Sequence, residues 1–506
     1  MHSIQNTVSK VLPASLLAVA LTSCAPESGQ DNSFANSSSG QPPNIVILFA
    51  DDLGYGDLSS FGHPYIRTPE LDELARLGQK WTDFYVAAPV CSPSRAALLT
   101  GRLPVRTGLY GKSIGVYFPD EPGGFPVEEV SIAEALKERG YATGIFGKWH
   151  LGDALHAYPT EHGFDEWLGV PYSNDMDWVG DPGFDAMRAM AARGETEERS
   201  RIAATRPAKY AEPLPEYFNS PLIHSLAGGE SSIEQPADQG LLTRRYTEAA
   251  IDFMERHVDS PFLVYVPYTM PHTPLFRSDE FTGRSLGGRY GDVVEEIDWS
   301  VGAIRRALES LGVADNTLLV FTSDNGPWLT MKEEGGSAGL LRMGKGSTFE
   351  GGMRVPTVFY WPGRIQPGVV SEIGSTLDLF ATAMTLSGQS NDTGSDSVDL
   401  SSALFENGES LRREMPYYRS GVLYAYRVGQ WKLHYILEGA YGQPPQRIEL
   451  PAPELYNLLK DPSERFDVAA DNPEVVAQIQ AAVARHRIGL EISPPLFDVR
   501  LARIQN

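Results

Sequence analysis

Hydrophobic positions from Pro43 onward form short apolar runs that alternate with longer amphipathic segments. The first run, Asn44–Ala50, is apolar at nearly every position, which is typical of a strand buried on both faces of a parallel sheet. The same pattern predicts strands over 141–146, 261–268 and 317–322, and helices over 69–77, 131–139, 241–258 and 293–311. This alternation indicates an α/β domain with a large, mostly parallel central sheet flanked by helices.

The pattern changes in two places. Residues 179–240 are polar, contain Gly and Pro and have no clear period, so we interpret them as a long insertion. After Gly388 a Ser-, Asp- and Gly-rich linker precedes a predicted hairpin over 421–436 and a predicted helix over 473–488. We therefore expect a main domain, residues 43–388, and a small α+β C-terminal subdomain with an antiparallel sheet and a helix, residues 389–506.

The N-terminus has the features of an export signal. An apolar run over 11–21 is too short to span a bilayer and has the length of the hydrophobic part of a signal peptide. It ends in Leu21-Thr22-Ser23-Cys24, which resembles the lipobox of bacterial lipoproteins, where the cysteine becomes the lipidated N-terminus. We expect residues 1–24 to be a lipoprotein signal peptide and 25–42 a flexible tether. An ordinary signal peptide that contains a cysteine is the alternative.

Lipidation of Cys24 predicts an exported protein that is anchored to a membrane on its periplasmic or cell-surface side. Ala25, which follows the cysteine, favours sorting to the outer membrane, by resemblance to the known sorting preference. No later stretch of the sequence is long and apolar enough for a transmembrane helix.

The net charge and the cysteine content limit the partners and the chemistry that the chain can have. The chain has 506 residues and a net charge of −23, which would repel a phosphate backbone and excludes a nucleic-acid partner. Its only two cysteines are Cys24 and Cys91, so there is no disulfide framework. If Cys24 carries lipid, Cys91 is a lone cysteine in an oxidising compartment, and we expect it to have a chemical role.

Polar side chains follow four of the predicted strands at the point where each strand ends. Taken singly, each has a structural alternative as a turn, a helix cap or a solvated loop residue. Ligands of open α/β sheets bind at the carboxyl ends of the strands, so the joint arrangement predicts one site at that edge. These residues are Asp51, Asp52, Lys148, His150, His272, Asp324 and Asn325.

The segment Cys91-Ser92-Pro93-Ser94-Arg95 begins a predicted helix. Pro93 suits the first helical turn, and residues 96–100 are good helix formers. Position 91 therefore lies at a helix N-terminus, where free N–H groups and the helix dipole favour an anion. A thiolate nucleophile and a buried structural thiol are the alternatives at this point.

The run 91–102 resembles the C-x-P-x-R signature of type I, formylglycine-dependent sulfatases, including the downstream Thr100-Gly101-Arg102. Further segments resemble the same family in the same order: 51–57, 147–152, 271–274, 322–326 and 344–352. The stretch 126–175 is similar to the branch of arylsulfatase A and N-acetylgalactosamine-6-sulfatase. The resemblance covers residues 43 to about 480 and implies the alkaline phosphatase-like sulfatase fold.

The resemblance also implies a role for each matching residue. Cys91 would be oxidised to formylglycine by a formylglycine-generating enzyme, and one Ca²⁺ would be bound by Asp51, Asp52, Asp324, Asn325 and the modified residue 91. Arg95 and His150 would hold the hydrated aldehyde, and Asp324 would activate it. Lys148 and Lys345 would bind sulfate oxygens, and His272 would protonate the leaving alcohol.

The expected activity is hydrolysis of sulfate esters, on sulfated polysaccharide fragments and also on aryl sulfates. Candidate sugar contacts are the insertion 179–240 and Asn174, His224, Trp328 and Arg342. One alternative is a phosphodiesterase or phosphonate monoester hydrolase of the same superfamily, whose metal sites more often recruit additional His and Asp ligands. Another is a lipid-anchored protein that binds sulfated glycans without cleaving them. Such a protein would have no need of Cys91.

The lipobox interpretation predicts that Cys24→Ser releases or mislocalises the protein, because the variant has no thiol to accept lipid. Catalysis by the soluble domain should be unchanged. Membrane fractionation of the host measures the effect, with Ser28→Ala in the tether as the control. Unaltered membrane association of Cys24→Ser would rule out a lipid anchor at this residue.

Overall fold

The structure is a computed structural model, and it describes residues 42–389 and 395–504. The predicted signal peptide with Cys24, nearly all of the predicted tether and residues 390–394 of the predicted linker lie outside the described residues. No helix in the described ranges combines the length and the apolar character needed to cross a membrane.

Ten strands form the central sheet, in the order β10-β2-β9-β8-β1-β7-β3-β4-β5-β6. Its neighbouring strands run parallel except where β9 meets β2 and β8, and where β5 meets β4 and β6. The sheet is therefore large and mostly parallel, as the sequence predicts. The strands are β1 (Asn44–Ala50), β2 (Gln79–Tyr85), β3 (Ala142–Phe146), β4 (Glu166–Gly169), β5 (Leu222–Leu226), β6 (Ser231–Glu234), β7 (Phe262–Pro267), β8 (Thr317–Ser323), β9 (Thr357–Tyr360) and β10 (Gly368–Ser375).

Helices cover both faces of this sheet. On one face α1, α7 and α8 bury apolar residues such as Leu74, Phe253 and Ile297 against β1, β7 and β8. On the other face α2, α4 and α10 bury Leu98, Leu136 and others. The helices are α1 (Pro69–Leu77), α2 (Cys91–Thr100), α3 (Pro104–Thr107), α4 (Ile132–Lys137), α5 (Phe184–Ala192), α6 (Thr196–Ala211), α7 (Leu242–Arg256), α8 (Gly288–Ser310), α9 (Glu350–Met353), α10 (Asp378–Leu386), α11 (Ser401–Phe405), α12 (Pro473–Arg487) and α13 (Leu501–Ile504).

The C-terminal subdomain is a four-stranded antiparallel sheet in the order β11-β12-β13-β14. Helix α12 packs on it through Ile479 and Val483, and the same apolar cluster includes Ala97 of α2. The predicted hairpin is the pair β12–β13. The strands are β11 (Glu414–Arg419), β12 (Val422–Val428), β13 (Trp431–Leu437) and β14 (Ile448–Asn457).

Residues 179–240, which we interpret from the sequence as an insertion, contain more helix and strand than their sequence pattern predicts. It forms α5 and α6, and then β5 and β6, which extend the central sheet at one edge. Helix α6 has no buried residue and has Pro207 in its interior. A helix without a fully buried residue needs no continuous apolar stripe, and for this reason its sequence shows no clear helical period.

A buried charge network joins the two domains. Lys432 of β13 lies 2.9 Å from Glu350 at the start of α9 and 2.8 Å from Glu464, and all three side chains are inaccessible to solvent. The Glu464 carboxylate also accepts hydrogen bonds from His434 and from the Glu350 backbone N–H. Burial opposes ionisation of Glu350, but Lys432 and Arg354 hold its pKa well below the ordinary value of 4.5. This carboxylate therefore stabilises the fold above about pH 4.5, and the contribution is lost as pH falls below that value.

Lys432→Met should lower the free energy of unfolding by about 3–5 kcal/mol, because it leaves two buried carboxylates without their shared cation. Urea denaturation at neutral pH measures the loss. Lys460→Met, at an exposed lysine of the same subdomain, is the matched control and should change stability by about 0.5 kcal/mol or less. Equal stability of the two variants would show that the network does not hold the domains together.

Candidate active site

Four neighbouring parallel strands, β8, β1, β7 and β3, end at the same edge of the sheet. Helix α2 contributes its first residue to this edge, and the loop after β8 contributes a lysine. All ten residues predicted from the sequence are brought together here, and none is more than 6% exposed. They are Asp51, Asp52, Cys91, Arg95, Lys148, His150, His272, Asp324, Asn325 and Lys345.

Three buried carboxylates at the site each have a buried cation as partner. Carboxylates without such partners would be very costly to bury. Burial alone would raise the pKa of Asp51, but Lys148 and Arg95 hold it well below its usual range. The pairs are Asp51 with Lys148 at 2.5 Å, Asp52 with Lys345 at 2.7 Å and Asp324 with Arg95 at 2.8 Å.

Two site residues have the left-handed backbone conformation, which side chains other than glycine adopt infrequently. Asp52 has φ +64° and His150 has φ +62°. Near His150, Gly147 has φ +146°, and a Cβ there would lie 1.9 Å from the Pro267 carbonyl oxygen. The Gly-Lys-Trp-His segment therefore needs its glycine to let the end of β3 pack against the end of β7. Such strain at strand ends is typical of functional sites.

Cys91 is the first residue of α2, and its Sγ lies 3.4 Å from Asp51 Oδ1 and 3.9 Å from Asp52 Oδ1. Burial raises the pKa of the Cys91 thiol well above its ordinary value, although Lys148 and Lys345 oppose the change. An unmodified cysteine here is therefore a protonated thiol between carboxylates, which disfavours the thiolate nucleophile that the sequence left open.

His150 has its tautomer set by the backbone. Its Nε2 lies 2.9 Å from the Tyr117 carbonyl oxygen, which only accepts hydrogen bonds, so Nε2 carries the proton. The buried Nδ1 has no partner. Burial, together with Lys148, lowers the pKa of His150 well below its ordinary value, so the ring is neutral and Nδ1 has a free lone pair. The side chain lines the cavity described below and offers that nitrogen as a proton acceptor.

Ser173 connects two of the predicted site residues and was given no role from the sequence. Its Oγ lies 3.3 Å from Lys148 Nζ and 3.3 Å from each ring nitrogen of His272. His272 Nδ1 lies 2.5 Å from the Thr273 carbonyl oxygen and donates to it, which leaves Nε2 3.6 Å from Asp52. In the sequence, residues 172–175 were notable only for their resemblance to the sulfatase family. The contacts of Ser173 with a lysine and a histidine far away in the chain could not be inferred from the spacing of residues.

The cluster is suited to a hard cation. Single donor atoms of Asp51, Asp52, Asp324 and Cys91 all lie within 4.8 Å of one another. Asn325 donates from Nδ2 to Asp52 at 2.6 Å, while its buried Oδ1 has no partner. Carboxylate and amide oxygens at this spacing are the ligands that calcium and similar cations prefer.

A cavity of about 410 Å³ extends outward from this cluster. Cys91, His150, His272 and Lys345 line its buried end. Trp328 lines it as well, with its ring 5.3 Å from that of His272, so this predicted sugar contact faces the cavity.

The three other predicted sugar contacts are not among the residues that line this cavity. Asn174 is buried and donates to Gln239 and to the Pro274 carbonyl oxygen. His224 lies on β5 and pairs with Glu166. Arg342 donates to the Glu464 carbonyl oxygen and stacks on Phe349. The structure therefore does not bring these three residues to the cavity, because a polar residue in a loop or edge strand carries no mark in the sequence of the direction in which it points.

The sequence of this chain is similar to those of known sulfatases. The Sulfatase family profile matches residues 43–389, and the profile for the C-terminal region of aryl-sulfatase matches 410–503. Arylsulfatase A of Bos taurus is 39% identical over 482 residues, which cover 91% of this chain and 89% of that protein. N-acetylgalactosamine-6-sulfatase of Homo sapiens is 37% identical over 492 residues, with coverage of 91% and 88%.

Solved structures of similar proteins have the same fold as this chain. PsFucS1 sulfatase from Pseudoalteromonas sp. superposes with a TM-score of 0.76 at 27% identity, over 89% of this chain and 90% of that one. Ps i-CgsB in complex with k-i-k-neocarrahexaose superposes with a TM-score of 0.71 at 31% identity, over 90% and 94%. The chain belongs to the sulfatase family.

Proposed function

We propose that the protein hydrolyses sulfate esters, using Cys91 after its conversion to formylglycine and a calcium ion bound beside it. One observation carries this proposal: position 91 lies at the N-terminus of α2 and faces a cavity into which a lysine and two imidazoles also project. A sulfate ester is an anion with several equivalent oxygens, so its hydrolysis needs a nucleophile surrounded by positive charge. The maturation step requires a formylglycine-generating enzyme as partner.

With formylglycine at position 91, an aldehyde hydrate would supply one hydroxyl as the nucleophile for sulfur while the S–O bond to the alcohol breaks. The second hydroxyl, on losing its proton, would expel sulfate and restore the aldehyde. Calcium, when bound by Asp51, Asp52, Asp324, Asn325 and residue 91, neutralises charge on the sulfate oxygens.

The chain's own residues move the protons and orient the reacting groups. Arg95 holds Asp324 through two hydrogen bonds and the Lys148 carbonyl oxygen through a third, so it fixes two strand ends beside position 91. His150 accepts a proton at Nδ1. His272 already donates from Nδ1 to the Thr273 carbonyl oxygen, so it can protonate the leaving alcohol from Nε2 only when the ring is in its doubly protonated form. Lys148 and Lys345 bind sulfate oxygens, and Asp324 activates the hydrate.

We propose sulfated polysaccharide fragments as the natural substrates and aryl sulfates as generic ones. A relative named N-acetylgalactosamine-6-sulfatase and a structure named as a complex with a neocarrahexaose support a carbohydrate substrate, and a relative named arylsulfatase A supports the aryl sulfates. The predicted lipid anchor at Cys24 would place the enzyme outside the cytoplasm, where such polymers are encountered. It remains part of this proposal.

A phosphodiesterase or phosphonate monoester hydrolase is the alternative activity. A phosphonate monoester hydrolase of Agrobacterium radiobacter shares the fold at 20% identity. Within the described residues, His272 is the only nitrogen ligand among the clustered metal donors, and enzymes of that class more often use several. We expect hydrolysis of an aryl sulfate to exceed that of the matched aryl phosphate diester, measured as kcat/KM for each. The reverse order would assign the alternative.

Conversion of Cys91 should be visible by mass spectrometry, because the peptide containing residue 91 loses sulfur and two hydrogens and gains oxygen. Cys91→Ala should abolish turnover and preserve the fold. Cys91→Ser should stall after at most one turnover, because a serine that has taken up sulfate has no second hydroxyl to expel it. Full multiple-turnover activity with an unmodified thiol at this position would overturn the mechanism.

Ser173→Ala should lower kcat on an aryl sulfate by about fivefold to tenfold, because it removes a hydrogen bond of about 1 kcal/mol to the partners Lys148 and His272. Ser220→Ala is the matched control. Ser220 is equally buried and its Oγ donates to the Asn174 carbonyl oxygen instead. Equal rates for both variants would show that Ser173 does not position the lysine and the histidine.

A further inference from the structure

The outer part of the cavity is lined by arginines of the insertion. Arg188 of α5, and Arg199 and Arg206 of α6, line the same cavity as Cys91. Positions 199, 206 and 210 are separated by seven and four residues, so they share one face of α6. Tyr210, on this face, also lines the cavity. The helix therefore presents an aligned basic stripe to the route by which a substrate reaches position 91.

Two of these arginines have no acidic partner. Among the described residues, neither Arg188 nor Arg199 forms an ion pair or a side-chain hydrogen bond. Arg206 lies 3.8 Å from Asp181, stacks over Trp178 and has a buried Nε without a hydrogen-bond partner. On a chain of net charge −23, a guanidinium group without a carboxylate partner keeps its charge available for an anion from outside.

Other arginines of the same segment show the contrast. Arg193 pairs with Glu195 at 2.6 Å, and Arg201 pairs with Glu198 at 2.6 Å, and neither lines the cavity. The two arginines with close carboxylate partners therefore lie outside the cavity, whereas Arg188 and Arg199, which have none, and Arg206, whose carboxylate is 3.8 Å away, line it. This arrangement leaves guanidinium donors available for an anion that enters from outside.

The sulfate to be cleaved does not need these arginines, because Lys148, Lys345 and Arg95 already surround position 91. Between the two basic regions, Asp175 accepts a hydrogen bond from Tyr210 and has a buried Oδ1 without a partner. That oxygen is suited to a sugar hydroxyl, and the rings of Trp178 and Phe184 offer apolar surface to a sugar ring.

We propose that the outer arginines bind a second anionic group of the substrate, a carboxylate or a further sulfate on the same oligosaccharide. This inference rests on the proposed sulfatase function and names the substrate class of the same site: sulfated oligosaccharides with at least one additional negative charge. Guanidinium groups recognise both anions through the same paired N–H donors.

The test compares three sulfated disaccharides that share the cleaved sulfate. One has a neutral second sugar, one has a uronic acid there and one has a second sulfate. Wild-type kcat/KM should be at least about tenfold higher for one or both dianionic substrates than for the neutral one, since a charged hydrogen bond contributes about 1.5–3 kcal/mol. Which dianionic substrate is preferred distinguishes carboxylate from sulfate. The preference should decrease as salt is added.

Arg188→Ala combined with Arg199→Ala should remove most of this preference, mainly through KM, and the double Arg→Lys variant should restore part of it. Arg201→Ala is the matched control on α6 and should keep the full preference. A wild type that shows no preference, or a double Ala variant that retains it, would overturn the inference. If no sulfate is released even from an aryl sulfate, the proposed function itself fails, so the two failures are distinguishable.

Discussion

Burial of three aspartates at the ends of β1 and β8 is the constraint on which the rest of the site depends. Asp51, Asp52 and Asp324 are almost completely removed from solvent and close enough to repel one another. Each is paired with one buried cation, but burial and the neighbouring Asp51 raise the pKa of Asp324 to about 7, so the pairing only partly offsets the cost of burying three carboxylates together. The proposed divalent cation would relieve the repulsion among these carboxylates and would add positive charge for a sulfate monoester. The proposed activity would therefore depend on the metal.

The fold supports this charge balance from two sides. The four central parallel strands fix the aspartates, Lys148 and His272 at one edge. Lys345 comes from a loop that precedes α9, and α9 is held by the buried network of Glu350, Lys432 and Glu464 that crosses to the C-terminal subdomain. That subdomain therefore contributes to the site although none of the ten clustered residues lies in it. It holds a loop of the main domain in place, and its Tyr441 packs against Trp328 and lines the cavity.

Much of the site was predictable because its residues follow strands. The apolar run Asn44–Ala50 locates Asp51 and Asp52 without any knowledge of the fold, and the motif after Cys91 locates the start of α2 to the residue. Ser173 and the outer arginines were not predictable in this way. Their importance depends on which neighbour they face, and α6 has no apolar stripe from which the orientation of Arg199 or Arg206 follows.

The most direct test of this charge balance is calorimetric titration of Ca²⁺ into chelator-treated protein whose conversion at position 91 has been verified by mass. We predict one calcium ion per chain, a rise in melting temperature on binding, and affinity at least about tenfold weaker in Asp52→Asn. Asp315→Asn, at an exposed aspartate, should bind as the wild type does. Absence of calcium binding to the wild type, or unchanged binding to Asp52→Asn, would contradict the claim that the buried aspartates form the metal site.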